Sequence, residues 1–297
     1  MDPRLTGLEL QTLLHTLADF FLPRVCVVCG RQLLPQEKHL CCACSADLPL
    51  THFEGLVHNP MADTFNSLVE APRYERAAAL FYYREEYRKI TQALKYGRNF
   101  GAGREFARML GERLASGGLW DDVDLVCCVP LHWTRRFRRG YNQAEIIARE
   151  VAAALRQSRL DRESQIDRLS RLDRESPAPV RFEPHLLRRV RRTGTQTRLS
   201  AEERSRNIAG AFRVNHAVLA AQLRRPEKSG DTCSTAEHTS AISGAGPSTF
   251  FGPAPQHLLL IDDVFTTGAT LAACYTALRE ALGPEVHISV ATLAFVD

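Results

Sequence analysis

The chain has 297 residues, of which 44% are hydrophobic and 24% are charged, and its formal net charge is +4. This length allows one sizeable core with a small appendage, and the composition is that of an ordinary soluble protein. No stretch has the apolar length that spans a bilayer, and the amino terminus lacks the basic flank and apolar region of a signal peptide.

The positive charge comes almost entirely from arginine, because only four of the 38 basic residues are lysines. The planar guanidinium group recognises phosphate well. Genomic base composition explains the same skew, and for most surface arginines we favour that explanation.

The amino-terminal region combines a short amphipathic helix, predicted from Leu8 to Phe21, with a cluster of cysteines. Five of the nine cysteines lie between positions 26 and 44. Such clustering favours metal binding in a reducing compartment over a disulfide framework, so we expect a cytoplasmic protein.

Two Cys-x-x-Cys pairs, separated by eleven residues, predict one tetrahedral zinc site, and Gly30 suits the tight turn after the first pair. Four sulfur ligands leave no open coordination position, so the zinc would be structural. Cys42 and His39 are alternative ligands, and Cys42 could also simply be buried. The predicted ligands are Cys26, Cys29, Cys41 and Cys44.

The next segments are predicted to precede the core and to pack over one side of it. Residues 48–73 carry few periodic signals and are interpreted as a connection between two domains. An apolar run predicts a strand over residues 77–83. Helical periodicity predicts a helix over 85–96, which ends at Gly97, and a second helix over 104–115.

A second buried strand is predicted over residues 124–130, because the run is apolar and ends at a proline. An arginine-rich loop follows it, and Asn142 with Glu145 forms a capping-box pattern for the next helix. The loop suits pyrophosphate, but it also suits a solvated surface or a nucleic-acid contact with stacking aromatics. The predicted pyrophosphate ligands are Arg135, Arg136, Arg138 and Arg139.

Two segments have the composition of insertions. The hexapeptide Arg-Leu-Asp-Arg-Glu-Ser occurs at 159–164 and 171–176, so we interpret 158–180 as mobile or marginally helical. Residues 217–256 form a second insertion, rich in Ser, Thr, Gly and Pro after residue 229, in which Cys233 is an unpaired thiol. Between them lies a polar loop suited to closing over a ligand, with Arg192, Thr193 and Gln196 as lid candidates.

The most informative stretch lies near the carboxyl terminus. An apolar strand over 258–261 leads to two acids, a Thr-Thr-Gly loop and a helix that stops at Gly283. Carboxylates suit ribose hydroxyls or a hydrated cation, and the loop with the helix start behind it suits a phosphate. Each fragment alone is also common as an ordinary turn or helix start. The predicted binding residues are Asp262, Asp263, Thr266, Thr267, Gly268, Ala269 and Thr270.

This stretch resembles the phosphoribosyl pyrophosphate (PRPP) signature of the type I phosphoribosyltransferases, and the whole chain apart from its insertions resembles the ComF family. The order of the pieces carries the resemblance more than any single one. The pieces are the paired cysteines, Leu94-Lys-Tyr-Gly97, Val129-Pro-Leu131, Arg139-Gly-Tyr-Asn-Gln143, Arg192-Thr193 with Gln196, Arg204 with Asn207, Gly210-Ala-Phe212 and the PRPP loop.

The resemblance implies an α/β fold with a type I phosphoribosyltransferase-like core, a parallel sheet flanked by helices, over residues 71–297. It also implies a zinc-ribbon-like module within residues 1–70. The expected ligands are PRPP and Mg²⁺, and pyrophosphate is the expected product of an active enzyme.

The resemblance also implies a link to DNA uptake through a helicase-like partner. A non-catalytic binding module and a protein that contacts single-stranded DNA remain the alternatives. No residue identifies an acceptor substrate.

Overall fold

The computed structural model of the chain describes residues 24–95, 100–131, 137, 140–169, 179–191, 208, 210–223 and 255–297. Several predictions fall outside these residues: the helix over 8–21, the pyrophosphate ligands Arg135, Arg136, Arg138 and Arg139, the lid candidates Arg192, Thr193 and Gln196, and the thiol of Cys233.

The described residues alternate between helices and strands along most of their length. The helices are α1 (Cys42–Ala46), α2 (Pro60–Leu68), α3 (Arg88–Lys95), α4 (Phe100–Ser116), α5 (Gln143–Leu169), α6 (His216–Leu223) and α7 (Ala269–Leu282). The strands are β1 (Ala77–Tyr82), β2 (Leu125–Cys128), β3 (Arg181–Phe182), β4 (Leu187–Arg189), β5 (Phe212–Val214), β6 (His257–Phe265) and β7 (His287–Phe295). No helix in these ranges is both long enough and apolar enough to cross a membrane.

Five strands form one parallel sheet in the order β1-β7-β6-β2-β3. The central strands are continuous runs of buried residues, as expected of a parallel sheet that is covered on both faces. The predicted α/β class with a parallel sheet flanked by helices is confirmed at this level.

The sheet has a topological switch point between β2 and β6. After β2 the chain continues outward to β3 on one side, whereas after β6 it continues outward to β7 on the other side. Ligands of open α/β sheets bind in the crevice at the carboxyl ends of the strands on either side of such a point. The strand order therefore favours a ligand site at the loops that follow β2 and β6.

The segment between the cysteines and β1 is more structured than its sequence predicts. Residues 49–51 run along the outer edge of β1, where Tyr82 N–H donates to the Pro49 carbonyl (2.8 Å) and Leu50 bridges Phe81. Helix α2 follows, capped by Asn59, whose Oδ1 accepts the Ala62 N–H (3.0 Å). This segment covers the exposed sheet edge.

Residues 158–169 of the first insertion are helical. Helix α5 continues to Leu169, and arginines attach this extension to the core. Arg159 Nη2 donates to the carbonyls of Asp121 and Val123 at 2.7 Å, and Arg162 pairs with Asp121 at 2.5 Å. The hexapeptide at 159–164 is therefore part of a fixed helix, because its arginines find partners in the loop before β2.

A buried polar network lies at the amino-terminal end of the sheet. The carboxylate of Glu75, fully buried, accepts from Arg279 Nη2 (2.6 Å), Tyr275 Oη (3.3 Å) and the Ile288 N–H (3.1 Å). A buried carboxylate requires such partners, because leaving it unpaired would cost several kcal/mol, on the order of 3–5. The network fixes α7 and β7 to the segment before β1.

A neighbouring group of side chains has the connectivity of a Ser-His-Asp triad. His257 Nδ1 lies 2.8 Å from Asp122 Oδ1, and His257 Nε2 lies 2.7 Å from Ser289 Oγ. His257 is 1% exposed and Ser289 is 0% exposed, so no substrate reaches the hydroxyl. We therefore interpret this group as a structural link between β6, β7 and the loop before β2.

Candidate functional site

The carboxyl end of β6 forms one wall of the switch-point crevice. Toward β7 the strand stays paired to its end, with Asp262 opposite Thr292 and Phe265 opposite Phe295. Toward β2 the pairing stops at Ile261. The sequence predicts that the two acids emerge where the strand leaves the core. The strand in fact continues through Asp262 and Asp263, and beyond Ile261 it loses its pairing only on the side of β2.

One backbone hydrogen bond and two side chains satisfy backbone groups where this pairing stops. Val129 N–H donates to the Ile261 carbonyl (2.9 Å), and the Val129 carbonyl accepts from Asn142 Nδ2 (3.0 Å). The Asp263 N–H donates to Asp262 Oδ1 (2.8 Å). The next residue after β2 is Val129, and Pro130 then has no N–H to extend the ladder. The crevice is thus held open between two strands with satisfied ends.

The loop that follows β6 forms a small, open pocket. Residues 264–271 line it together with Asp262 and Ile208. Helix α7 begins at Ala269, and its first N–H groups have no acceptor within the helix. No side chain caps them either. Such a helix start attracts anions, and the threonine hydroxyls of the loop can donate further hydrogen bonds. All seven predicted binding residues lie in this strand, loop and helix start.

Gly268 is required at the turn of this loop for two reasons. Its φ angle is +71°, in the left-handed region that favours glycine. An added Cβ would also lie 2.6 Å from Leu68 Cδ1 and 2.6 Å from Phe265 Cζ. Helix α2, which the sequence did not predict, therefore packs directly beneath the phosphate-sized loop.

The two ends of the predicted lid segment meet near this pocket. Val190 N–H donates to the Ala211 carbonyl (2.8 Å), directly after β4 and before β5 in an antiparallel hairpin. Ile208, at the end of the intervening segment, lines the pocket. The sequence did not predict this hairpin. Arg192, Thr193 and Gln196 themselves lie outside the described residues.

The four predicted zinc ligands form a second site. The sulfur atoms of Cys26, Cys29, Cys41 and Cys44 all lie within 4.8 Å of one another. Cys29 Sγ and Cys41 Sγ are 3.7 Å apart. Zinc–sulfur bonds of about 2.3 Å in a tetrahedron place sulfur atoms about 3.8 Å apart, so a small contraction completes the geometry. The cluster could hold a metal such as zinc.

The thiol pKa values of Cys26 and Cys44 are shifted in opposite directions. Burial alone would raise the pKa of Cys26, but hydrogen bonds from the N–H groups of Cys29, Cys41 and Val28 lower it to about 6. Burial, and then hydrogen bonds to the other sulfurs, raise the pKa of Cys44 well above its ordinary value.

Glu37 joins the two halves of the cysteine site. Its carboxylate accepts the N–H groups of Leu34 and Cys42, both at 2.7 Å. Cys42 itself is exposed and lies outside the four-sulfur cluster, and His39 is not part of it either. The glutamate was not predicted. Gly30 has the predicted turn conformation, with a φ angle of +75°.

The cysteine site is attached to the core by α3 and the turn before it. Lys89 Nζ donates to the Val28 carbonyl (2.6 Å), and Tyr87 Oη donates to the Cys44 carbonyl (3.2 Å). Of residues 132–139 in the arginine-rich loop after β2, the structure describes only Phe137, which is 90% exposed.

Comparison with known proteins yields distant relatives over most of the chain. No family model matches. The chain is 23% identical to Competence protein F from Haemophilus influenzae over 270 residues, which cover 89% of this chain and 94% of that protein. It is 25% identical over 252 residues to the DNA utilization protein YhgH of Salmonella typhimurium, and 23% identical over 251 residues to that of Escherichia coli (strain K12). Each of these two matches covers 84% of this chain and 81% of the relative. These similarities support the resemblance to the ComF family.

Proposed function

We propose that this chain is a ComF-family phosphoribosyltransferase that binds PRPP with Mg²⁺ at the β6–α7 loop and releases pyrophosphate. The observation that carries the proposal is the open pocket at the start of α7, with Asp262 and Asp263 beside it at the switch point of the sheet. A phosphate needs donors, and a ribose needs acceptors for its hydroxyl groups. The two requirements are met next to each other.

Each part of PRPP has a proposed position. The 5′-phosphate lies against the hydroxyls and N–H groups of residues 266–270, and the ribose hydroxyls donate to Asp262 and Asp263. The pyrophosphate faces the arginines of residues 135–139. Mg²⁺ bound with PRPP would neutralise part of the pyrophosphate charge. The segment around Arg192 and Gln196 would close over the ligand from its hairpin and exclude water.

The proposed reaction breaks the bond between the anomeric carbon and the pyrophosphate oxygen. Pyrophosphate leaves with the bonding electron pair, and the acceptor forms the new bond and loses a proton. The carboxylates hold the ribose while positive charge develops at the anomeric carbon, and the positive loops hold the leaving group. Rate enhancement comes from positioning and electrostatic stabilisation, so no covalent nucleophile is needed.

The names of the relatives favour a second candidate function. Competence protein F and DNA utilization protein YhgH, both similar to this chain over most of its length, are named for the handling of DNA. The second candidate is a non-catalytic accessory protein that binds PRPP or a nucleotide within a DNA-uptake or helicase complex. In that case the pocket would be a sensor, and single-stranded DNA would be a further partner.

We also propose that the cysteine cluster holds a structural zinc within a module over residues 1–70. The fit of the sulfur positions to a tetrahedron supports this proposal. Few buried apolar residues surround the cluster, so the metal would supply much of the folding free energy of this small region.

Thermal unfolding and product release test the proposed activity together. PRPP with Mg²⁺ should raise the melting temperature of wild type by linkage, by an amount that grows with the logarithm of the free ligand concentration relative to its Kd. Pyrophosphate release is then measured across a panel of nucleobases and amines. Release with one acceptor supports the transferase, whereas binding without release for any acceptor supports the accessory protein. No thermal shift contradicts both.

A further inference from the structure

An open groove of about 580 Å³ lies between α4 and α5. Its lining includes Ala115 of α4 and Ala153 and Ala154 of α5. Such small side chains allow the backbone of a third helix to approach closely, and packed helices have their axes about 8–10 Å apart. Leu160 lies on α5 one turn beyond Gln157 of the lining, and it is 52% exposed. The groove therefore offers an apolar strip to a partner.

The arginines that line this groove are already paired with acids. Arg108 lies 2.5 Å from Glu105 and 3.6 Å from Glu112 within α4, and Arg162 lies 2.5 Å from Asp121. Because these charges are compensated, a highly charged ligand would gain little here. An amphipathic helix can bury its apolar face over the alanines and keep its polar face in water. The groove therefore suits such a helix better than a phosphate or a nucleic acid.

The chain itself has a segment of this kind before its first described residue. Thr6 with Glu9 forms a capping-box pattern, and Pro23 is a stop signal just beyond the predicted helix over residues 8–21. An apolar stripe on such a helix is stabilised when it packs against another surface. The stripe consists of large side chains at helical spacing, namely Leu10, Leu13, Leu14, Leu17, Phe20 and Phe21.

The described chain begins at the cysteine site, close to the end of α4 where the groove starts. Arg24 Nη1 donates to the Glu37 carbonyl (3.0 Å). His39 lies close enough to Glu105 of α4 for the two side chains to interact electrostatically. The next turn of α4 lines the groove. Two residues separate Phe21 from Arg24, and the three steps between them span at most about 11 Å. A helix that ends at Phe21 is therefore tethered near this end of the groove.

The length and direction of the groove also match the segment. Glu150 of α5 lies 3.9 Å from Arg104 near the start of α4, whereas Arg162 pairs with Asp121 beyond the end of α4. Helices α4 and α5 therefore run in the same direction. The lining of α5 from Glu150 to Arg162 is about 18 Å long, and a helix over residues 8–21 is about 21 Å long. Because its carboxyl end is tethered near the start of α4, this helix would lie antiparallel to both.

We propose that residues 8–21 form an amphipathic helix that docks into the groove between α4 and α5 of the same chain. The apolar stripe of this helix covers the alanines of the groove, with Phe20 toward Arg108 and Leu10 toward Ser116. The docked helix gives the cysteine site a second attachment to the core, in addition to its contacts with α3. Docking does not depend on the proposed reaction.

Photo-cross-linking of the full chain identifies what this segment contacts. The photoreactive residue p-benzoylphenylalanine replaces Leu14 on the apolar stripe or, as the control, Thr12 on the polar face, and isotopically light and heavy chains are mixed in equal amounts. Position 14 should link to residues 108–116 and 150–162 of the same chain, and position 12 should not. Links between light and heavy chains would place a second copy in the groove, and links to neither helix would leave the groove without this occupant. Either result would overturn the inference.

Hydrogen exchange of the backbone amides of residues 10–21 tests the docking independently. Ala153→Glu places a carboxylate under the docked stripe, and Ala221→Glu is the matched control on α6. Both alanines are exposed in the described part of the chain, so both variants should fold. Burying an unpaired charge is unfavourable, so the amides should exchange at least about tenfold faster in Ala153→Glu than in wild type or Ala221→Glu. Equal exchange in the three proteins would overturn the docking.

Discussion

Substitution of Gly268 by alanine should destabilise the chain and disrupt the phosphate-sized loop at once. The φ angle of +71° strains any residue with a Cβ, at about 1–2 kcal/mol. The new methyl group would lie 2.6 Å from both Leu68 Cδ1 and Phe265 Cζ, and such overpacking adds about 1–3 kcal/mol. Alanine also reduces the conformational entropy of the unfolded chain, and this effect offsets about 0.4–1 kcal/mol of the loss. The expected loss is therefore about 1–5 kcal/mol.

Urea unfolding of wild type, Gly268→Ala and Gly118→Ala measures this loss. Gly118 has a φ angle of +72° and nothing within 4 Å of an added Cβ, so it reports the backbone strain alone. Adding Leu68→Ala to Gly268→Ala removes one of the two clashes and should recover part of the stability. Equal losses in Gly268→Ala and Gly118→Ala, or no recovery in the double variant, would refute the crowding beneath the loop.

Two further predictions concern the cysteine cluster and the buried histidine. Cys41→Ser should lower bound zinc, measured by atomic emission, from about one per chain to a small fraction, whereas Cys42→Ser should retain it. Equal zinc in both variants would contradict the ligand assignment. Burial opposes ionisation of Asp122, but the hydrogen bond and charge of His257, followed by those of Arg76, hold its pKa well below the ordinary value. The stability contributed by this carboxylate is therefore present above the unfolded pKa of about 3.9 and is lost as the pH falls below it. Asp122→Asn should destabilise the chain to urea at pH 7, and the difference should shrink toward pH 2; a constant difference would contradict the shift.

The local parts of the candidate site were predictable from the sequence. The apolar run before Asp262, the small residues after Phe265 and the stop at Gly283 each depend on neighbours within one turn or strand. The cysteine cluster was equally predictable, because two Cys-x-x-Cys pairs at this spacing are typical of a tetrahedral zinc site. These features required no knowledge of what packs against them.

The parts that depend on distant contacts were not predictable in the same way. Strand β6 extends to Phe265 because β7 pairs with it there, and only the assembled sheet reveals that the β2 side is open. Helix α2 has a clear start signal in Asn59-Pro60, but its few buried apolar positions do not stand out as a periodic stripe. The sequence also gave no sign that Glu37 would bridge the cysteine pairs, since its partners are backbone N–H groups.

Calorimetric titration of PRPP with Mg²⁺ into wild type and Asp263→Asn tests the central claim most directly. Asp263 lies beyond Ile261, where β6 is no longer paired toward β2, and its carboxylate is proposed to accept a ribose hydroxyl. The account predicts saturable heat with about one PRPP per chain for wild type, and binding weakened at least tenfold in Asp263→Asn, as expected for loss of a hydrogen bond to a charged group. No heat with wild type, or equal affinity in the two proteins, would contradict it.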